Sequence, residues 1–199
     1  MNEIITISRE FGSGGREIGF YLAERLGIPF YDKELISLAA ENSNIAEEVF
    51  QTHEEMIDVP HWEDHSYVSV HPFSSLYEIP VSDQLFVAQS QIIKKLEQEG
   101  PCVIIGRCSD IIVDNGFHVY ICAGMKHRIE RISRMEDEAE RKKLETRIRG
   151  IDKKRRDYYQ YYSGNEWGNP KNYHLCLNSG WLGIQSCVDI ITDALTKLR

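Results

Sequence analysis

Apolar positions along this 199-residue chain fall into two rhythms that alternate. Ile4-Ile5-Thr6-Ile7, Cys102-Val103-Ile104-Ile105, Phe117 to Cys122 and Tyr173 to Leu177 are short, continuous runs that predict strands buried on both faces. Ile28-Pro29-Phe30-Tyr31-Asp32 is shorter but suits a fifth strand. Between these runs the spacing turns helical. Ile18, Leu22 and Leu26 mark a helix ended by Gly27 and Pro29. Leu35, Ile36, Ala39 and Ala40 mark another over Lys33 to Glu41, and Leu85, Ala88, Ile92 and Leu96 one over Ser82 to Gly100, closed by Gly100-Pro101. The last, with Ile184, Val188, Ile191, Leu195 and Leu198, has the cleanest apolar stripe. Strands alternating with helices predict a parallel α/β sheet with right-handed crossovers, whose ligands bind at the carboxyl ends of the strands.

The pattern dissolves from Asn42 to Val81, which reads as an insert of about 42–81 within one domain spanning 1–199. His53, His61, His65 and His71 lie there. His61 and His65 are four apart, but no third ligand has a compelling spacing, so no metal site is expected. Five cysteines are scattered without a C-x-x-C pair, and the three in apolar strand-like runs act as small hydrophobes. A net charge of −8 argues against nucleic-acid or acidic-membrane binding, and no run approaches the roughly 20 apolar residues of a membrane span. The chain starts on a strand without a secretory pattern, so a cytoplasmic location is expected.

Chemistry concentrates where the first strand meets the first helix, at Ser8-Arg9-Glu10-Phe11-Gly12-Ser13-Gly14-Gly15-Arg16-Glu17. A glycine loop between a strand and a helix N-terminus can wrap N–H groups around an anion, and a phosphate is the expected guest. The loop is a degenerate P-loop: one register places Gly15 at the lysine of G-x-x-x-x-G-K-[ST], the other makes Arg16 the lysine surrogate and Glu17 the hydroxyl residue. A glycine-rich turn of another α/β protein is the plainer alternative. Two further polar clusters, Asp32-Lys33 and Gly106-Arg107, end predicted strands and converge on the same edge.

Residues 126–157 hold 13 basic and eight acidic residues. Asp137/Arg141, Glu138/Lys142 and Glu145/Arg149 are i,i+4 pairs, so much of this charge reads as a solvated helix. Arg147, Arg149, Arg155 and Arg156, around Gly150-Ile151-Asp152, have the planar forks that suit phosphoryl oxygens on a closing segment.

Together these stretches, with Val103-Ile104-Ile105-Gly106-Arg107, Asp152-Lys153-Lys154-Arg155-Arg156-Asp157 and Asn172-Tyr173-His174-Leu175, resemble the cytidylate-kinase-like family, a nucleoside-monophosphate kinase branch of the P-loop NTPases. The resemblance runs from Ile4 to the final helix. It implies a three-layer α/β P-loop fold with a five-stranded parallel sheet in order 2-3-1-4-5, helices on both faces, an acceptor-binding insert and an arginine-bearing lid at about 135–156. By position, Arg9, Gly12, Ser13, Gly14, Gly15, Arg16 and Glu17 hold the donor phosphates of ATP with Mg²⁺. Arg16, Arg107, Arg155 and Asp152 are the catalytic candidates, with Asp32 and Arg107 on the acceptor side and Asp152 as the partner of Arg155. The chain departs from the pattern at Arg16, at Glu17, and at Cys108 in place of the aspartate of Gly-Arg-Asp. The implied activity is ATP-dependent phosphoryl transfer to a nucleoside monophosphate, the alternatives being another small-molecule acceptor or nucleotide binding without turnover. Arg107 is expected at the cleft edge with little effect on stability, and the segment from Met135 to Gly150, poor in apolar anchors, among the least stable parts.

Overall fold

The computed structural model describes residues 4–43, 45–52, 79–134 and 143–197. Five strands run through it: β1 (Ile4–Arg9), β2 (Phe30–Tyr31), β3 (Val103–Ile105), β4 (Gly116–Cys122) and β5 (Leu175–Asn178). The helices are α1 (Gly15–Leu26), α2 (Glu34–Asn42), α3 (Glu47–Thr52), α4 (Val81–Glu99), α5 (Ser109–Ile112), α6 (Met125–Ser133), α7 (Leu144–Ser163), α8 (Ser179–Leu182) and α9 (Ile184–Lys197). All strand pairings are parallel and the order is β2-β3-β1-β4-β5, as the resemblance implied. No helix among the described residues is long and apolar enough to cross a membrane.

The continuous apolar runs become strands because both faces of the sheet are covered. Ile5 and Ile7 of β1, Val103 and Ile105 of β3 and Val119 and Ile121 of β4 pack with Ile18 and Leu22 of α1 and Val188 and Ile191 of α9. Their neighbours Ile4 and Ile104 face the other way, onto Leu35 of α2, Ile92 of α4 and Tyr158 of α7. The period-2 alternation of side chains thus splits each strand between two helical layers. At the end of α1, Gly27 takes the left-handed conformation and its N–H closes on Ala23 O and Glu24 O, the stop that the sequence announces.

Within the expected insert, residues 47–52 form α3; residues 53–78, with His61 and His65, lie outside the described residues, as does the lid stretch 135–142. The remaining lid differs from expectation. Leu144 and Ile148, which begin α7, are fully buried and pack with Ile132 of α6 against Phe11, Met125 and Ile129. This part of the segment is anchored to the glycine loop, because Leu144, Ile148 and Asp152 recur every fourth residue and form one inward stripe.

Candidate functional site

The glycine loop links β1 to α1 at the carboxyl edge of the sheet. Gly12 and Gly14 have φ of 78° and 81°, and a Cβ at Gly14 would press on Ile184 and on the Arg131 guanidinium. Every carbonyl from Arg9 to Ser13 already has a donor in the protein. Arg155 Nη1 donates to Arg9 O at 3.1 Å, Ser13 N to Glu10 O at 3.2 Å, Arg128 Nε to Phe11 O at 2.7 Å and Arg131 Nη1 to Gly12 O at 2.8 Å. Ser179 Oγ, at the start of α8, donates to Ser13 O. The opposite holds for the donors: the N–H groups of Gly12, Gly14, Gly15, Arg16 and Glu17 have no protein acceptor among the described residues, and no side chain caps α1. Five unmatched N–H groups at a helix N-terminus make a cradle for an anion.

The helix begins at Gly15, so Arg16 stands in its first turn. Its side chain, however, turns away from the loop. Arg16 Nε pairs with Asp32 Oδ2 at 2.6 Å, beyond β2, and the guanidinium lies 5.9 Å from the Phe30 ring. Asp32 is itself buried, and its N–H donates to Glu34. Arg16, Glu17, Asp32 and Lys33 line a cleft of about 870 Å³ together with the loop, Phe20, Tyr21, Arg131 and Arg155.

The pairing expected between Asp152 and Arg155 gives way to a different arrangement. Asp152 Oδ1 accepts from Phe11 N at 2.8 Å and Oδ2 pairs with Arg128, which also faces Glu10 Oε2 at 3.4 Å. Glu10 in turn accepts from Ala123 N at 2.9 Å. Arg128 and Asp152 are both buried, so each satisfies the charge of the other where water does not reach. Arg155 instead reaches Arg9 O and lies over the Phe11 ring at 5.8 Å, with Arg147 over the same ring at 5.9 Å. Arg149 pairs with Glu145 at the surface, and Arg156 is exposed.

Arg107 is also placed differently from expectation. It is 2% exposed, and it and Cys108 adopt left-handed backbone at φ 60° and 52°. Consecutive non-glycine residues there store strain of about 1–2 kcal/mol each. With Ser8, Arg9, Arg155, Tyr158 and Trp167, Arg107 lines a small cavity of about 20 Å³. A Cβ on Gly106 beneath it would displace the Arg9 guanidinium, whose Nη1 would lie 2.0 Å away. Beside this cavity, Asp110 accepts from Tyr159 Oη at 2.8 Å and from Ser8 Oγ at 3.5 Å. Burial pushes the Asp110 carboxyl up to about 6, against the downward pull of these bonds, and burial likewise raises the Tyr159 hydroxyl.

Arg128, Arg131 and Asp110 were not among the candidates from sequence. A signal exists for the first: Arg128 shares the stripe of Met125, Ile129 and Ile132, and a charge on an apolar stripe marks a buried pair. No three His, Cys, Asp or Glu side chains converge to hold a metal ion among the described residues.

Comparison with known proteins places the chain in a family and a fold. The family described as the cytidylate kinase-like family matches residues 4–180. No curated protein matches the chain. Among solved structures, an uncharacterized protein from Eubacterium ventriosum is similar at 23% identity and a TM-score of 0.68, covering 98% of each chain. Shikimate kinase from Bacteroides thetaiotaomicron is similar at 16% identity and a TM-score of 0.55, over 98% of this chain and 99% of that one. Shikimate kinase from Acinetobacter baumannii, in complex with shikimate, is similar at 13% identity and a TM-score of 0.53, over 100% and 96%. At these identities the likeness is one of fold, that of the P-loop α/β kinases.

Proposed function

The chain belongs to the cytidylate kinase-like family, and on that premise we propose that it transfers a phosphoryl group from ATP to a nucleoside monophosphate. The observation that carries the donor half is the loop itself: its carbonyls already have donors, and five N–H groups are left for phosphate oxygens. The acceptor half rests on Arg9 and Arg155, which line both the cleft and the small cavity behind it where Arg107 lies, a density of guanidinium that suits an acceptor already carrying a phosphate. In the transfer, an acceptor oxygen attacks the terminal phosphorus, the bond to the bridging oxygen breaks, and ADP leaves with the electron pair. An ionised phosphate acceptor brings no proton that must be removed, so the work of the chain is positioning and charge neutralisation.

The cradle fits the phosphates of a nucleotide. Mg²⁺ would be held chiefly by those phosphates, with Glu10, Glu17 and Asp32 the carboxylates of the cleft, and would neutralise their charge. A second reading keeps the donor and changes the acceptor. The buried Asp32 carboxylate at the cleft is of the type that accepts from a hydroxyl, which suits a phosphate-free small molecule. An acceptor screen with ATP, read as ADP release, separates the two. Turnover with one or more nucleoside monophosphates is the expected result. Turnover with polyols or hydroxy acids alone establishes the second reading, and ATP binding without any turnover overturns both.

A further inference from the structure

Several guanidinium groups bear on the glycine loop or its cleft, Arg9 and Arg147 among them, and what each faces differs. Arg16 is neutralised by Asp32, and Arg128 by Asp152 and Glu10. Arg155, which also lines the cleft, reaches the loop at Arg9 O and lies along Phe11. Arg131, on α6, lies across the loop: its Nη1 donates to Gly12 O at 2.8 Å, and its Cζ and Nε come within 3.2 and 3.3 Å of the point where a Cβ of Gly14 would stand. That bond to Gly12 O is its one hydrogen bond among the described residues, and it makes no ion pair there. It lines the 870 Å³ cleft and is only half-buried. A guanidinium carries five N–H donors, so among the described residues most of the donors of Arg131 have no acceptor and no carboxylate neutralises its charge.

We propose that Arg131, rather than Arg16, supplies the charge that a P-loop lysine brings to the donor phosphates. A lysine at the start of the helix reaches the outer phosphates as a point charge. Here the helix-start cation is committed to Asp32, and the position over the loop is taken from a different element. Glycine at position 14 leaves the space in which this guanidinium lies. Anchoring to Gly12 O holds it there before any nucleotide arrives, so little side-chain freedom remains to be lost on binding.

This inference rests on the kinase reading above, and its test separates the two. The full chain is titrated with ATP by calorimetry, as wild type and as Arg131→Gln, Arg131→Lys and Arg16→Ala. Glutamine retains an N–H for Gly12 O and removes the charge; lysine retains the charge. The expected result is a loss of ATP affinity of roughly 10- to 100-fold for Arg131→Gln, the size of a lost hydrogen bond to a charged group, with most of it recovered in Arg131→Lys. Arg16→Ala should cost less than Arg131→Gln. Unchanged affinity in Arg131→Gln, or a larger loss in Arg16→Ala, overturns the assignment while the kinase reading stands. A wild-type chain that binds no ATP overturns both. Thermal melting of each variant, expected within a few degrees of wild type, shows that affinity was lost from a folded loop; a collapse of Arg131→Gln alone makes Arg131 a structural brace and also overturns the proposal.

Discussion

The two edges of the sheet are built from the same strands and treat charge in opposite ways. At the carboxyl edge and the helices above it sit all five fully buried ionic residues among those described: Asp32, Arg107, Asp110, Arg128 and Asp152. The glycines of the loop and the strained Arg107–Cys108 pair are there too. At the amino edge the ion pairs, Lys94 with Glu97 and Asp114, stay nearer the surface, and the polar groups between the strands pair locally. His118 Nδ1 bonds Thr6 Oγ1 at 2.8 Å, its backbone N–H donates to His174 Nδ1 at 2.9 Å, and the two rings stack 4.9 Å apart. Burial and the neighbouring His174 hold His118 down to about 4, so it stays uncharged. Buried charge and backbone strain both cost stability, and a fold that confines them to one edge is using that edge for something other than stability.

Removing a carboxylate from the ionic bracket is the strongest way to test this contrast. Asp152→Ala leaves Arg128 buried with only the more distant Glu10 and frees the Phe11 N–H. A loss of about 3–5 kcal/mol in urea unfolding is expected, as for a broken buried pair. A smaller loss, with Arg128 turned to solvent, would show that the carboxyl edge tolerates water. Next comes Gly106→Ala, which puts a methyl group where Arg9 Nη1 lies and a side chain at φ 67°. About 1–2 kcal/mol of stability should go, from the left-handed backbone. A fall in turnover with no change in ATP affinity should accompany it if the Arg9 guanidinium serves the acceptor.

How much of this the sequence disclosed depends on whether a residue obeys a local rhythm. The sheet was legible because continuous apolar runs have one stable use, and the loop because glycines at a strand–helix junction have few. The resemblance supplied the strand order. The bracket was not legible, since Arg128 and Asp152 lie 24 residues apart in a stretch whose other charges do form solvated i,i+4 pairs. Local periodicity shows which face a residue occupies, but not its partner across two helices. The same limit applies to Arg16, whose place in the motif suggested the phosphates and whose side chain went to Asp32.

The edges should also titrate with opposite sign. Asp110 is raised from its ordinary 3.8 to about 6, so its contribution is complete below 3.8 and is lost as pH rises through 6. His118 is lowered from 6.5 to about 4, so its contribution is complete above 6.5 and is lost as pH falls through 4. Urea unfolding between pH 4 and 6.5 should therefore show Asp110→Asn gaining on wild type as pH rises and His118→Gln falling behind it. Parallel curves for both variants would remove the contrast. The smallest effect belongs to the outer face of α7. Glu145→Ala breaks an exposed pair with Arg149 and should change stability by roughly 0.5 kcal/mol or less.

The central claim is that the N–H groups of Gly12 to Glu17 receive phosphate, and amide resonances of a ¹⁵N-labelled chain titrated with ATP test it most directly. Shifts concentrated at residues 12–17 and at the Arg131 side chain, with His118 and His174 unmoved, are the predicted result. Saturating ATP that leaves residues 12–17 unshifted, or that moves the amino edge instead, would contradict it.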